Sequence, residues 1–200
     1  LASLAMAATD PLLGVTEAYV AEQNPNKVNL GVGVYTGDDG KVPLLECVRR
    51  AEETRVRSGA PKSYLPIDGL AAYDRAVQEL VFGKDSESVK AKRIVTVQAL
   101  GGTGGLKVGA DFLRQISPTA TVWISEPSWE NHRALFEGAG FTVKSYPYYD
   151  PATHGLDFAG MLASLKTMPG GSIVVLHSCC HNPTGVDLSQ AQWQQVLEVV

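Results

Sequence analysis

The 200-residue chain has few cysteines, only a small excess of charge of one sign and no long apolar runs. Its three cysteines, two of them adjacent at Cys179 and Cys180, cannot form a disulfide framework and are typical of a reducing compartment. We therefore expect a cytoplasmic protein, and an organellar location stays open. No apolar run approaches the roughly 20 residues of a membrane span, and no basic residue opens the chain as in a secretory signal.

The charge balance is close to even. Seventeen lysines and arginines stand against 21 aspartates and glutamates, so the net charge is −4. A nucleic-acid-binding domain normally carries a basic face, and we therefore expect no nucleic-acid partner. The 20 glycines show no period, which excludes a fibrous sequence.

Strand-like and helix-like segments alternate through the second half of the chain. Strands are predicted at 93–97, 121–125, 141–146 and 172–177, and helices at 106–116, 131–139 and 157–168. This alternation predicts an α/β fold, a mostly parallel sheet flanked by helices. Helices are also predicted at 45–57, 68–82 and 189–200. The last one has an apolar face with no glycine or polar tail after it, so we expect the polypeptide to continue beyond Val200.

A glycine-rich segment from Gly101 to Lys107 follows the first predicted strand and opens a helix. Glycine in a helix costs about 1 kcal/mol against alanine, and close approach of a ligand to the bare backbone would explain that cost. The free N–H groups of a helix N-terminus suit a phosphate. The segment matches neither G-x-G-x-x-G nor G-x-x-x-x-G-K-[ST], which favours a phosphate over a dinucleotide. A tight turn without a ligand is the alternative.

Two further motifs follow strands that should end at the same edge of the sheet. Residues 127–132 place the indole of Trp129 after one strand, and residues 177–185 place the amide of Asn182 after another. Ligands bind at the carboxyl ends of strands in open α/β sheets. A flat, phosphorylated ligand with a polar ring substituent would fit all three motifs. Taken singly, Trp129 is equally well explained as core and His132 as a solvated helix residue.

The motif at 177–185 also suggests a zinc site, in which His177, Cys179 and His181 would be the ligands. Neither a C-x-x-C pair nor an H-E-x-x-H helix is present. Adjacent cysteines are more often small buried apolar residues. We therefore expect no metal site.

Together these motifs resemble the class I aspartate aminotransferases, which are pyridoxal-phosphate enzymes of fold type I. The resemblance runs from Asp10 to Val200. It is carried by NLGVGVY at 29–35, YLPIDG at 64–69, GTG at 102–104, PSWENH at 127–132, YYD at 148–150 and HSCCHNPTG at 177–185. It implies that residues 1–43 form an N-terminal arm and the start of a small domain. Residues 44–200 would be the first part of the large, cofactor-binding domain.

The resemblance implies a role for five residues at a site for pyridoxal 5'-phosphate. Gly102 and Thr103 would hold the phosphate, Trp129 would stack on the ring, and Asn182 would hydrogen-bond the ring's phenolic oxygen. Trp129, Asn182 and the backbone of Gly33 would also face the substrate. The family often has serine where this chain has Gly101, so one phosphate-binding hydroxyl is expected to be missing.

Further residues are implied around that site. Tyr64 would reach the cofactor of the neighbouring subunit, in a homodimer with shared active sites. His132 and His177 would lie beside the aspartate that pairs with the pyridine nitrogen. That aspartate, the lysine that bonds the cofactor and the substrate-binding arginines would all lie beyond Val200. We therefore expect no catalytic residue within 1–200, and no activity from the 200-residue chain alone.

The implied reaction moves an amino group between L-aspartate and 2-oxoglutarate, which would be the substrates. Two alternatives stay open. One is an aromatic-amino-acid aminotransferase of the same class, and the other is a non-catalytic phosphate-binding α/β protein.

Overall fold

A computed structural model describes residues 11–29, 31 and 33–200 of the chain. The arm implied at residues 1–10 lies outside the described residues. The chain divides into two compact units, Leu1–Ser63 and Tyr64–Val200. The predicted domain boundary after residue 43 stays a prediction.

The first unit contains two helices, α1 (Pro11–Ala21) and α2 (Glu46–Ser58). The α2 helix buries none of its residues, and its exposed surface carries ion pairs such as Arg49–Glu53 and Arg50–Glu46 at helical i, i+4 spacing. It ends at Gly59, which adopts the left-handed conformation (φ 57°). The predicted helix at 45–57 is confirmed to within a residue, whereas α1 was not predicted.

The second unit begins with three helices, α3 (Ala71–Phe82), α4 (Glu87–Lys90) and α5 (Gly101–Ile116). The prediction that α3 begins at Asp68 is wrong, because residues 66–69 form a turn in which the Gly69 N–H donates to the Pro66 carbonyl. Gly69 has a φ of +100°, and a side chain there would clash with Gln98. The α5 helix was predicted from residue 106 but begins earlier, so the glycines form its first turn.

The rest of the second unit alternates strands and helices. The elements are β1 (Thr121–Glu126), α6 (Glu130–Gly138), β2 (Thr142–Pro147), β3 (Tyr149–Asp150), β4 (Gly155–Leu156), α7 (Phe158–Thr167), β5 (Ile173–Val174) and α8 (Gln190–Leu197). The main sheet has the order β2-β1-β5, and both pairings are parallel. In its register Thr121 lies opposite Thr142, and Val122 lies opposite Ile173. The predicted parallel sheet is therefore confirmed.

Two local predictions need correction, and one element was not predicted. Residues 93–97 form no β-strand, because no strand in the described part of the chain pairs with them, and Val95 is 90% exposed. The predicted strand at 172–177 has ladder pairing only at β5, extended by one bond from the Val175 N–H to the Trp123 carbonyl. The short antiparallel hairpin of β3 and β4 was not predicted.

The core lies on both faces of the sheet, because successive residues of a strand point to opposite sides. From β1, Val122 and Ile124 pack with Ala110 of α5 and Phe136 of α6. The intervening Trp123 packs on the other cluster, which contains residues of α7 and α8: Met161, Leu165 and Val196. Helices thus cover both faces. None of the helices in the described residues has both the length and the apolar character that a membrane crossing requires.

Candidate active site

The loops that follow β1 and β5 meet at the carboxyl edge of the sheet, since the two strands are parallel neighbours. There, five rings form a continuous series that we call the aromatic row: Trp129, His132, His177, His181 and Tyr148. Successive ring centroids along it are 5.4, 5.0, 4.4 and 3.8 Å apart. The row joins residues of α6, of the β5–α8 loop and of the segment after β2.

His181 is the most enclosed histidine of the row, with 2% of its surface exposed. Its ring stacks on Tyr148 with an interplanar angle of 11°. Its Nε2 lies 2.9 Å from Ser125 Oγ at the end of β1, and its Nδ1 lies 2.8 Å from Thr184 Oγ1. Because a hydroxyl both donates and accepts, these two partners satisfy either neutral tautomer of the ring.

The other two histidines are also held by hydrogen bonds. His132 is buried, and its Nδ1 lies 2.9 Å from Ser128 Oγ. His177 Nδ1 accepts the backbone N–H of Asn182 at 3.1 Å. The neutral His177 ring therefore carries its proton on Nε2. The same bond places Asn182, whose side chain is exposed, beside the row.

Burial keeps the histidines of the row uncharged. Burial lowers the pKa of His132, and repulsion from a charged His177 lowers it further. Burial likewise lowers the pKa of His177, although the nearby Asp187 carboxylate opposes the shift. For His181, burial and repulsion from His177 lower the pKa to about 4, against the opposing effect of Asp187. All three rings are therefore neutral at neutral pH.

The N-terminus of α5 forms a second part of the site, the phosphate cup, defined as residues Gly101–Thr103. The first intrahelical bond runs from the Gly104 N–H to the Leu100 carbonyl at 3.2 Å, and Leu100 offers no capping side chain. The backbone N–H groups of the cup thus have no intrahelical acceptor. Gly101 has a φ of +65°, and a Cβ at Gly102 would meet no atom within 4 Å.

The cup lies next to the start of α6, the helix that follows Trp129 and includes His132. Asn131 Nδ2 approaches Thr103 Oγ1 at 3.5 Å, a long contact that links the two helix N-termini. An exposed helix end with free N–H donors therefore lies next to the start of the helix that contains His132, a member of the aromatic row. This arrangement suits a flat ligand that carries a phosphate.

The structure places the predicted site residues in two groups. Six of them lie at this edge of the sheet: Gly102, Thr103, Trp129, His132, His177 and Asn182. Tyr64 does not contact these six residues, because its side chain is fully exposed in the segment before α3. Gly33 lies in the first unit, with nothing within 4 Å of a Cβ built on it. The individual roles implied for all of these residues stay predictions.

Sequence reasoning missed Ser125, Tyr148 and Asp187, and considered His181 only as a zinc ligand. One signal for Ser125 was available, since it is a polar residue next to the end of an otherwise apolar strand. In the described residues no group of three or more His, Cys, Asp or Glu side chains is placed to hold a metal ion. Both ring nitrogens of His181 already have hydroxyl partners. The expected absence of a metal stays a prediction.

Residues 25–200 match the family model for aminotransferase class I and II. The aspartate aminotransferase of Pseudomonas aeruginosa is 58% identical over 195 residues, 98% of this chain and 49% of that protein. The aromatic-amino-acid aminotransferase of Escherichia coli is 48% identical over 96% of this chain and 49% of its own length.

Solved structures agree with these relatives. The aromatic-amino-acid aminotransferase from Burkholderia pseudomallei, covalently bound to pyridoxal phosphate, superposes with a TM-score of 0.95 at 63% identity. The match covers 99% of this chain and 50% of that one. The chain therefore spans about half the length of these relatives. The resemblance drawn from the motifs and the α/β fold class are both confirmed, and the chain belongs to the aminotransferase class I and II family.

Proposed function

We propose that this chain forms the N-terminal half of a pyridoxal-phosphate-dependent aminotransferase that exchanges an amino group between L-aspartate and 2-oxoglutarate. The observation that carries the proposal is the open, uncapped N-terminus of α5 beside the aromatic row. Family membership and the relative from P. aeruginosa, named an aspartate aminotransferase, support the same reaction.

The cup fits the phosphate of the cofactor. Its free N–H groups and the positive end of the α5 dipole favour an anion. The open space at Gly102 leaves room for phosphate oxygens against the backbone, and the exposed Thr103 adds a hydroxyl donor. The family uses pyridoxal phosphate, and the B. pseudomallei relative is bound to it.

Each residue at the edge would then have a distinct task. Gly102 and Thr103 hold the phosphate, Trp129 packs its indole on the ring, and Asn182 donates from its amide to the phenolic oxygen. When bound, pyridoxal phosphate supplies an electron-withdrawing ring that stabilises negative charge at the substrate carbon. His177 remains neutral and keeps its proton on Nε2, so it presents a donor without adding positive charge.

The amine that reacts with the cofactor is expected outside residues 1–200. Lys107 is the lysine closest in sequence to the cup, and it forms an ion pair with Asp111 one turn along α5. That pair supports a role as a surface charge. The 200-residue chain alone is therefore proposed to lack transaminase activity.

The proposal includes a cytoplasmic homodimer with shared sites. The fully exposed tyrosine ring of Tyr64 supports a contact outside its own subunit, because a large aromatic side chain exposed in this way gains by burial in an interface. The backbone of Gly33 would face the substrate carboxylate. Amino-acid and 2-oxo-acid substrates are the remaining partners.

The test is Trp129→Ala in the full-length protein that contains this chain. Loss of the indole should weaken pyridoxal phosphate binding and lower turnover at least tenfold, about 1.4 kcal/mol, whereas Trp129→Phe should retain most of both. Cofactor titration and steady-state kinetics measure the effect. The matched control is Trp193→Phe, since Trp193 is a half-buried tryptophan of α8 that packs on the core. Unchanged binding and turnover in Trp129→Ala would contradict the proposal.

An aromatic-amino-acid aminotransferase is the second candidate, and the relatives from E. coli and B. pseudomallei favour it. The ratio of kcat/KM for aspartate to that for phenylalanine separates the two, with 2-oxoglutarate as the common acceptor. We expect the ratio to exceed one. A ratio below one would identify the protein as an aromatic-amino-acid aminotransferase. Transamination of either substrate would exclude a non-catalytic phosphate-binding protein.

A further inference from the structure

We propose that Asp187 is a positioning residue for the cofactor site, and that it acts by fixing the backbone that carries Asn182. The inference rests on the proposed contact between Asn182 and the cofactor ring. Asp187 is the last residue of the loop 177–187 and follows Asn182 by five residues in the sequence. No role for it follows from the motifs.

The geometry is a clamp on consecutive peptide groups. Asp187 Oδ2 accepts the Cys180 N–H at 2.7 Å, and Oδ1 accepts the His181 N–H at 2.8 Å. The next N–H, that of Asn182, donates to His177 Nδ1. Three successive backbone donors are therefore held by side chains, in a loop that has left the sheet after β5 and has no ladder to hold it.

The backbone conformation explains why a carboxylate is needed. Cys180 has a φ of +53°, which is uncommon for a residue with a side chain. A left-handed residue of this kind turns neighbouring N–H groups toward one point, and such a concavity binds an anion. Here the chain supplies the anion itself. The two backbone N–H donors also lower the pKa of Asp187, which keeps it charged.

The loop has a second anchor with a different effect. The His181 ring ties the loop to β1 through Ser125, but it bonds through its ring nitrogens and does not bind the backbone of the loop. Asp187 binds that backbone directly, at the N–H groups of Cys180 and His181. Because Asp187 is exposed, its replacement removes little packing, and its effect should appear at Asn182 more than in the free energy of unfolding.

The test is a double-mutant cycle in the full-length holoenzyme with Asp187→Asn, Asn182→Ala and the double variant. Asparagine is isosteric but has one acceptor oxygen, so it can keep only one of the two bonds. Two quantities are measured: the dissociation constant of pyridoxal phosphate, and the pH midpoint of the bound cofactor's visible absorption. A hydrogen bond to the phenolic oxygen stabilises its deprotonated form, so its loss should raise that midpoint.

We expect Asp187→Asn to weaken cofactor binding about fivefold, the size of one hydrogen bond, and to raise the midpoint as Asn182→Ala does. In the Asn182→Ala background the same change should have no further effect on the midpoint. Asp150→Asn is the matched control, since the half-buried Asp150 carboxylate also has two donors, the Ala152 N–H at 2.9 Å and the Thr153 hydroxyl at 2.7 Å, in a turn without site residues.

Two results would overturn the inference while leaving the proposed function intact: no effect of Asp187→Asn alone, or an equal midpoint shift with and without Asn182. If Asn182→Ala itself leaves the midpoint unchanged, the proposed contact of Asn182 fails and the inference fails with it. Should Asp187→Asn not fold, Asp187→Glu enters the same cycle under the same criteria, because it keeps the charge but displaces the carboxylate by one methylene.

Discussion

The phosphate cup and the aromatic row are adjacent, yet their polar groups are satisfied in opposite ways. The cup, Gly101–Thr103, is exposed, and the helix end above it has no capping side chain. In the row, His132 and His181 are buried, and hydroxyl groups contact both ring nitrogens of His181 and Nδ1 of His132. The cup is therefore open to a ligand, whereas the buried rings of the row are held by the protein itself.

The difference follows from access to water. A buried polar group that loses its partner costs about 1–3 kcal/mol, so the row must be satisfied by the protein itself. An exposed helix end is hydrated until a ligand replaces the water. We infer that the row contributes to the stability of the ligand-free protein and that the cup contributes to binding alone. Three predictions test this contrast in the full-length protein.

The largest effect is expected from His181→Ala. The change removes a stacked, buried ring and leaves Ser125 and Thr184 without their partner, which should lower the free energy of unfolding by about 3 kcal/mol. Urea denaturation without cofactor measures the loss. The control His154→Asn changes an exposed histidine in the left-handed conformation, which asparagine tolerates, and should have little effect. If His181→Ala lowered the free energy of unfolding by less than the control does, the row would not be a source of stability for the fold.

The pH dependence of stability gives an intermediate effect when it is expressed per unit of pH. The pKa of His181 falls from the usual 6.5 to about 4 on folding, so between these values the unfolded chain binds more protons than the folded one. The stabilisation is complete above pH 6.5 and is lost as the pH falls toward 4, by up to about 1.4 kcal/mol per pH unit. The lowered pKa values of His132 and His177 act in the same direction.

Urea unfolding of the ligand-free protein from pH 4 to 8 measures this dependence. His181→Asn should flatten it, and Thr103→Val, a change in the cup, should leave it as it is. An equal slope in the wild type and in His181→Asn would show that the row does not hold His181 neutral.

The smallest effect is expected from Gly102→Ala. A Cβ at this position meets no atom within 4 Å, and alanine favours a helix over glycine, so the free energy of unfolding should rise by about 0.5 kcal/mol. The same methyl group occupies the space proposed for the phosphate and should weaken pyridoxal phosphate binding. Gly101→Ala is the contrasting variant, since φ is +65° there and alanine should be destabilising. If Gly102→Ala bound the cofactor more tightly, the phosphate could not occupy the space beside Gly102.

Elements with local signals were predictable from the sequence. The helix predicted at 157–168 begins at Asp157, a residue type that favours the N-cap, and its side chain accepts the Gly160 N–H at 2.9 Å at the start of α7. The apolar runs of β1 and β2 were located to within about a residue. Residues 93–97 have the same apolar composition but form no ladder. A strand exists only with a partner, and pairing between distant segments is not encoded in the run itself.

The position of the site was predictable because parallel strands bring their carboxyl ends to one edge. That argument predicts that Trp129 and Asn182 lie at one edge, because they follow the parallel neighbours β1 and β5. It does not account for Gly102 and Thr103, because residues 93–97 before them belong to no sheet. The contacts that hold the row were not predictable. Ser125 and His181 are 56 residues apart in sequence, and nothing local to either residue indicates the other.

The alternation of strands and helices, the glycine-rich helix start and the family could thus be inferred from the residues alone, because these depend on residue types at short spacing. The folded arrangement was needed to show which histidines are buried and neutral, and which carboxylate holds the Asn182 loop. Those properties depend on distance, burial and hydrogen-bond direction between segments that meet only when the chain is folded. Asp187 illustrates the difference: in sequence it is one more acidic residue after a turn, and in the fold it binds two successive peptide N–H groups.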